Sequence, residues 1–346
     1  MKIIEVKTNN SYFVKVDGGL LDSVAESVVK LCSFDTACVI TDSNVGALYL
    51  ERVVQSFVKI GKKVLAFVFD AGEQSKTLST FGKISSFLAQ NNFKRSDLIV
   101  ALGGGVVGDL AGFVASTYHR GVKFVQIPTT LLAGIDSSVG GKTAVDLPEG
   151  KNLVGAFYQP VGVYFDTEVL GTLPKKELIN GYGELVKYGV LTGGELWKTL
   201  SNDEIDLEKC IEECVRYKSE IVEKDEKDNG IRALLNLGHT LAHSVENLSG
   251  YTVSHGVSVG YGLRRIADAC FVKGILAEKD HDEIIRILDK FSLDYRAPYS
   301  TEELVKEAFR DKKSFADSIN LIIIEAVGKC RIQTFKLDEL EDFFND

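Results

Sequence analysis

No Cys-x-x-Cys pair occurs among the six cysteines, Cys32, Cys38, Cys210, Cys214, Cys270 and Cys330. Their wide spacing excludes a disulfide framework and predicts reduced, mostly buried thiols. Long apolar runs are missing too: the longest apolar and glycine stretch, residues 98–108, stops at Asp109, well short of the roughly 18 residues a membrane helix needs. Cations are in deficit, 40 against 49 acidic residues, for a net charge of −9. That balance removes the broad basic surface on which non-specific nucleic-acid binding depends, and any anionic ligand must meet locally placed cations. Residues 1–7 alternate like a strand and lack the apolar core and cleavage site of a signal peptide, so a cytoplasmic protein is expected.

The 346 residues are about twice the ~150 of a single domain, and two cores are expected. Up to about Phe165, β-branched runs alternate with helical patterns, at 37–41, 45–60, 64–69 and 78–88. This is the βαβ signature of a parallel sheet. In the last of these segments Leu78, Phe81, Ile84, Phe87 and Leu88 line one helical face. Beyond Pro174 the pattern turns to long helices, with β-rich segments at 321–324 and 331–335. The prediction is an α/β protein with a Rossmann-like parallel-sheet domain at 1–173 and a mainly α-helical domain at 174–346. The acidic tail at 338–346 is expected to be a solvated helix end.

Glycine collects at strand-to-helix turns. Gly103, Gly105 and Gly108 fit G-x-G-x-x-G directly after a strand and at a helix start, where backbone amides can approach a pyrophosphate. A tight turn with close helix packing accounts for these glycines equally well, because no acidic residue follows about 20 positions later. Asp42, just past the strand at 37–41, is placed either for ribose hydroxyls or to cap the next helix. A further turn, Ala71-Gly72-Glu73-Gln74-Ser75-Lys76, adds a carboxylate and a cation at the same kind of strand end. Three such turns on one sheet edge favour a dinucleotide. Gly141-Lys142-Thr143 looks like the end of a P-loop, but Asp136 stands where the first glycine of that motif belongs, which argues against an ATPase.

Three of the five histidines, His239, His243 and His255, fall close together. On a helix predicted over 231–246, Arg232, Asn236, His239, His243 and Glu246 step by 4, 3, 4 and 3, forming one polar seam among leucines and valine. Surface stripes are usually rich in Lys and Glu rather than Asn and His. His239 and His243 at i, i+4 read as paired zinc ligands, with His255 or a carboxylate as the third, leaving the open position of a catalytic zinc. Lys218 interrupts the apolar series Leu207, Ile211, Cys214, Ile221, and points into a cleft or snorkels. Glu184 and Lys187, three apart, read on spacing alone as an ordinary helical ion pair.

Several motifs in one order resemble the 3-dehydroquinate synthase family, from about Asp42 to Lys313. They are Leu102-Gly103-Gly104-Gly105-Val106-Val107-Gly108-Asp109, the stretch 136–143, Gly150-Lys151-Asn152, Gly183-Glu184-Leu185-Val186-Lys187-Tyr188-Gly189 and Leu235-Asn236-Leu237-Gly238-His239-Thr240. The resemblance implies a metal, zinc or cobalt, on Glu184, His239 and His255, with His243 facing substrate instead. It implies NAD on Asp42, on Ala71, Gly72, Glu73, Gln74, Ser75 and Lys76, on Gly104, Gly105, Val106, Val107, Gly108 and Asp109, on Thr129 and Thr130, and on Val169, Leu170, Gly171 and Thr172. Lys142 and Lys151 would serve both cofactor and substrate. The 1–173 domain would then bind NAD, and 174–346 would bind metal and substrate.

The implied substrate is a sugar phosphate, 3-deoxy-D-arabino-heptulosonate 7-phosphate. Its phosphate and carboxylate would meet Arg120, Lys142, Lys151, Lys187, Lys218 and Arg232, with one of Lys312 or Lys313, while Asp136, Asn152, Asn236 and His243 complete the shell. The implied reaction is redox-neutral: transient oxidation by NAD, β-elimination of phosphate, re-reduction and aldol closure to 3-dehydroquinate, in a homodimer that engages neither nucleic acid nor membrane. Other sugar-phosphate cyclases, metal-dependent polyol dehydrogenases and a silent NAD-binding regulator are the alternatives. Three residues depart from the family's common pattern: Gly134 where a larger residue is usual, Asp146 where asparagine is frequent, and Val257 where glutamate is common.

Overall fold

Strands buried on both faces need helices on both sides, and a chain alternating the two closes into a parallel sheet. The computed structural model describes residues 1–311 and 318–345. The chain divides into two units, Met1–Leu173 with Lys218–Lys227, and Pro174–Tyr217 with Asp228–Asp346.

The first unit contains β1 (Lys2–Val6), β2 (Tyr12–Asp17), α1 (Val24–Val28), β3 (Thr36–Asp42), α2 (Ser43–Lys59), β4 (Lys63–Phe69), α3 (Leu78–Gln90), β5 (Leu98–Gly103), α4 (Gly105–Thr117), β6 (Lys123–Pro128), β7 (Lys142–Leu147), β8 (Gly150–Phe157) and β9 (Gly162–Asp166). Seven strands form one sheet in the order β1-β2-β9-β6-β5-β3-β4, in which only β1 pairs antiparallel. β7 and β8 form a separate antiparallel hairpin. β5 is buried along its whole length, which is why it reads as an unbroken apolar run. Val107, Leu110, Ala111 and Val114 of α4 pack into the same core as Ile99 and Ala101 of β5.

The second unit contains α5 (Lys175–Thr192), α6 (Gly194–Ser201), α7 (Leu207–Lys224), α8 (His239–Leu248), α9 (His255–Val272), α10 (Glu278–Lys290), α11 (Thr301–Asp311), β10 (Ser318–Ala326), β11 (Lys329–Lys336) and α12 (Leu337–Phe344). The end of α7, from Lys218, groups with the first unit. α9 is the central element, packing against α5, α8, α10, α12 and β10.

Three expectations need correction or explanation. The stretch 231–246 is not one helix: a 3-10 segment, Ile231–Asn236, ends before Gly238, whose φ of +80° breaks the run ahead of α8. Glycine is required there twice over, because a Cβ would also lie 3.1 Å from the Val259 carbonyl and the Leu263 amide of α9. The acidic tail is amphipathic rather than solvated all round, since α12 buries Leu340, Phe343 and Phe344. Gly134 sits in a π-helical turn, Ala133–Ser137, where a Cβ would fall 2.3 Å from the buried Phe165 ring. The ring of Phe165 already fills the space that a larger residue at position 134 would take.

Candidate metal centre and nucleotide site

In the second unit, each of the three expected metal ligands stands beside a place where two backbones meet. A Cβ on Gly183 would lie 2.0 Å from the Gly256 carbonyl oxygen, and one on Gly256 only 1.7 Å from the Asn180 carbonyl oxygen. α5 and α9 therefore cross in direct backbone contact, next to Glu184 and His255. A Cβ on Gly262 would lie 2.0 Å from the Gly238 carbonyl oxygen, so α9 also presses on the turn that precedes His239. The Asn180 side-chain oxygen accepts from the Gly256 amide at 2.6 Å, giving α9 the cap that Ser254 does not provide.

These crossings bring Glu184 Oε1 to 3.1 Å from His255 Nε2 and 3.3 Å from His239 Nε2. Among the described residues, ligand atoms of Glu184, His239 and His255 lie within 4.8 Å of one another. His239 and His243, paired by spacing, do not share a donor group; one turn further along α8, His243 groups with Glu246 and His255. Nδ1 of His239 meets the Leu237 carbonyl at 3.1 Å, and Nδ1 of His255 meets Glu246 Oε1 at 2.9 Å. Protons on Nδ1 leave both Nε2 lone pairs for a ligand.

Glu184 is fully buried, and Lys187 Nζ lies 2.5 Å from its Oε2 with only 1% of that lysine's side chain exposed. The pair that spacing alone assigned to an ordinary helical bridge is thus buried. Burial opposes ionisation of Glu184, but the Lys187 ammonium and the two imidazoles overturn it and hold the carboxyl well below the usual range. Burial also disfavours the charged form of His255, yet its two carboxylate neighbours, Glu184 and Glu246, raise it to about 10. An ionised carboxylate with two imidazoles is the donor set of open zinc sites, so these residues fit a divalent metal.

In the first unit, the glycine turn leads from β5 into α4 as the motif predicts. Its N-cap, Gly104, makes no side-chain cap, so the first-turn amides of α4 are left for a partner outside the helix, and an anion suits them. A Cβ on Gly103 would meet Val107 at 2.4 Å, and one on Gly108 would meet the Gln126 side chain of β6 at 2.7 Å. Thr129 and Thr130 follow β6; the Thr129 hydroxyl is buried with no hydrogen-bond partner among the described residues. An amide-lined helix start beside an orphaned hydroxyl fits a dinucleotide phosphate. Asp42 caps α2, accepting from the Asn44 and Val45 amides. Val169, Leu170, Gly171 and Thr172 lie in a 3-10 turn tied to the Tyr49 hydroxyl.

The 71–76 turn is closed by Gln74, which donates to the Ala71 carbonyl at 2.8 Å, and by the Ser75 amide on the Gly72 carbonyl. It delivers Lys76, 3% exposed, into a cluster. Lys76 Nζ donates to Asn152 Oδ1 at 2.7 Å and lies 3.2 Å from both Glu73 and Asp109 and 3.7 Å from Asp146. Lys151 reaches Glu73 at 3.5 Å. Expected residues from three separate segments, joined by Asp146, thus meet around one ammonium. Burial pushes the Asp109 carboxyl up to about 6 against the pull of Lys76, with Glu73 and Asp146 adding repulsion. Asp146 and Glu73 share a hydrogen bond, and Asp146 accepts from the Asn152 amide at 2.8 Å.

The departure at Asp146 therefore adds a third carboxyl to a cluster with two lysines. Because Asp109 titrates higher when folded than when unfolded, its ionisation costs stability as pH rises from about 4 to 6, and the full cost remains above that window. Asparagine at 146 could donate to Glu73 while still accepting from Asn152. Asp146→Asn is expected to stabilise the protein by about 1 kcal/mol at pH 7 and by nothing at pH 4. Urea melts at the two pH values check this; an equal effect at both would be the wrong outcome.

Lys218, 5% exposed, donates to the Asp136 carbonyl at 2.6 Å and its carboxylate at 2.8 Å, so it is buried rather than snorkelling. Lys142 is exposed at the start of β7. Arg120 stands past the far end of α4 from Gly105, a separation of roughly 20 Å along a helix of this length. His119 and Arg120 both take positive φ, 49° and 62°, a strain of order 1 kcal/mol each. In the second unit Arg232 is buried, while Asn236 and His243 are exposed. Lys312 and Lys313 lie outside the described residues.

The 3-dehydroquinate synthase N-terminal family model matches residues 66–180, and the C-terminal model matches 181–314. The 3-dehydroquinate synthase of Streptococcus gordonii is 43% identical, with 99% of each chain covered. The chain belongs to the 3-dehydroquinate synthase family. Another relative, the 3-dehydroquinate synthase of Clostridium acetobutylicum, is 42% identical with 98% of each chain covered. Among solved structures, 2-deoxy-scyllo-inosose synthase complexed with carbaglucose-6-phosphate, NAD+ and Co2+ matches with a TM-score of 0.88 at 25% identity, covering 99% of both chains. The 2-epi-5-epi-valiolone synthase of Streptomyces hygroscopicus, with NAD+ and Zn2+ bound, matches at 0.86 and 22%, covering 98% of this chain and 97% of that one.

Within this 3-dehydroquinate synthase family member, two residues of the candidate metal centre carried no assigned role in the sequence. Glu246 belongs to the polar seam, and its step from His243 was its only signal. Asn180 gave none, because a cap supplied by another helix leaves no local pattern. Nothing in the structure accounts for Val257.

Proposed function

We propose that the chain converts 3-deoxy-D-arabino-heptulosonate 7-phosphate to 3-dehydroquinate and phosphate, using NAD and a zinc or cobalt ion, as a cytoplasmic homodimer. The observation that carries this reading is the convergence of buried Glu184 with His239 and His255 beside buried Lys187, in a chain of this family. The six free cysteines support a reducing compartment. When bound, NAD supplies a hydride acceptor and donor, and the metal a Lewis acid.

The rest falls to the chain's own side chains. In the 1–173 domain the α4 amides, Asp42, Thr129, the 71–76 turn and the 3-10 turn at Val169 to Thr172 would hold NAD. Glu73 and Asp109 keep Lys76 and Lys151 in place through ion pairs. In the 174–346 domain Glu184, His239 and His255 hold the metal, and Lys187 balances the Glu184 charge. Arg120, Lys142, Lys151, Lys187, Lys218 and Arg232 neutralise the substrate's phosphate and carboxylate, with Lys218 aimed by Asp136 and with Asn152 and Asn236 orienting hydroxyls. A net charge of −9 makes these local cations the necessary counterweight.

His243 is exposed and lies one turn from His239, with ring centroids 5.5 Å apart. It moves a proton at the departing phosphate. His243→Ala is expected to lower kcat about 100-fold with metal content unchanged. Full turnover in that variant would remove the role. The function itself is tested by phosphate release from the heptulosonate phosphate, with NAD far below substrate and nicotinamide absorbance recorded. Many phosphates per NAD and no lasting NADH are expected; NADH accumulating with simple polyols would instead indicate a dehydrogenase.

A further inference from the structure

We infer that Glu246 is a positioning residue for metal binding: its carboxylate holds the His255 imidazole in the one tautomer and ring orientation that present Nε2 to the ion. The inference rests on the metal reading of Glu184, His239 and His255. His255 is clamped from both sides, with Glu184 Oε1 3.1 Å from Nε2 and Glu246 Oε1 2.9 Å from Nδ1. A ring flip would set carbon against both carboxylates, and a proton moved to Nε2 would block the ligand atom. Glu246 prevents both by accepting from Nδ1–H.

The carboxylate reaches His255 from α8, two turns beyond His239, and is 6% exposed. One helix thus supplies a ligand at its first residue and the support of another ligand near its end. His239 is held by a neutral backbone carbonyl, whereas His255 is held by a charged group. A carboxylate partner makes an imidazole a stronger donor and keeps its proton on the far nitrogen. Glu246 also adds a negative charge near the ion without occupying a coordination position.

The test is Co2+ binding, followed by competition with a chelator and by ligand-field absorption, which needs no turnover. Glu246→Ala is expected to weaken Co2+ binding 10- to 100-fold and to shift the absorption bands. Glu246→Gln, whose amide oxygen still accepts from Nδ1–H, recovers most of the affinity. Wild-type affinity and bands in a folded Glu246→Ala protein, or a lower melting temperature of the metal-free protein with unmoved bands, would overturn the role. If Glu246→Ala does not fold, Glu246→Asp is decisive, since it keeps the charge but withdraws the acceptor, and wild-type binding there overturns the role equally. Retention of Co2+ by His255→Ala would instead bring down the metal reading, and this inference with it.

Discussion

Glu184→Gln is expected to purify with less than about a tenth of an equivalent of metal, to lose phosphate release by at least 1,000-fold, and to bind NAD as the parent does. The substitution changes one atom and no volume, so the effect isolates the charge. Glu184 meets His239 and His255 through Oε1 and Lys187 through Oε2, and has no solvent exposure. A neutral amide gives a divalent ion a poor ligand and leaves the buried Lys187 ammonium without its carboxylate, a change that costs about 3–5 kcal/mol in such settings. The residues proposed to hold NAD, Glu73, Lys76 and Asp109 among them, belong to the other unit. Elemental analysis and nicotinamide fluorescence titration check both halves. Full metal content would refute the ligand assignment, and lost NAD binding would refute the division of labour.

Gly256→Ala is expected to be nearly as damaging, although it adds a single methyl group. The new Cβ would stand 1.7 Å from the Asn180 carbonyl oxygen and 2.6 Å from its carbon, and neither backbone atom can rotate away. α5 and α9 must separate, at a cost of about 3 kcal/mol or more. That separation also draws Glu184 from His255, so Co2+ affinity falls together with stability. Gly82→Ala is the control: it lies inside α3 with nothing within 4 Å of its Cβ, and should stabilise by about 0.5–1 kcal/mol. Denaturant melts with and without Co2+ decide the matter, and a Gly256→Ala protein as stable as the parent would show that the helices do not need the contact.

Both expectations depend on packing that the amino-acid order reveals only in part. The strands at 37–41 and 64–69 agree with β3 and β4 to within a residue at each end, because period and apolar content are local properties. The glycine turn was legible for the same reason. The seam at 231–246 was legible as a set of residues but not as one helix, since a 3-10 segment and a glycine of positive φ preserved the 4, 3, 4, 3 stepping across a break. Glu184 and Lys187 have the spacing of any surface pair, and nothing local reports that both are buried. The Lys76 cluster joins residues 73, 109, 146 and 152, and only the tertiary fold places them together. Lys218 and Asp136 were each singled out, but nothing in the residue order paired them across 82 positions.

The backbone crossings along α9 bear on how fast the site exchanges its ion. Glu184, His239 and His255 each lie next to a glycine contact between main chains, and none of the three is carried by a long loop. The wedged main chains fix where each donor's backbone stands, so a donor leaves only by rotating its own side chain, which the Leu237 carbonyl opposes at His239 and Glu246 opposes at His255. Release then requires these hydrogen bonds to break before a ring can turn, which is slower than the free rotamer change of an exposed side chain. Such a centre would lose metal slowly even where its equilibrium affinity is modest, and would refill without refolding, because the frame that holds its donors apart and together is made of backbone.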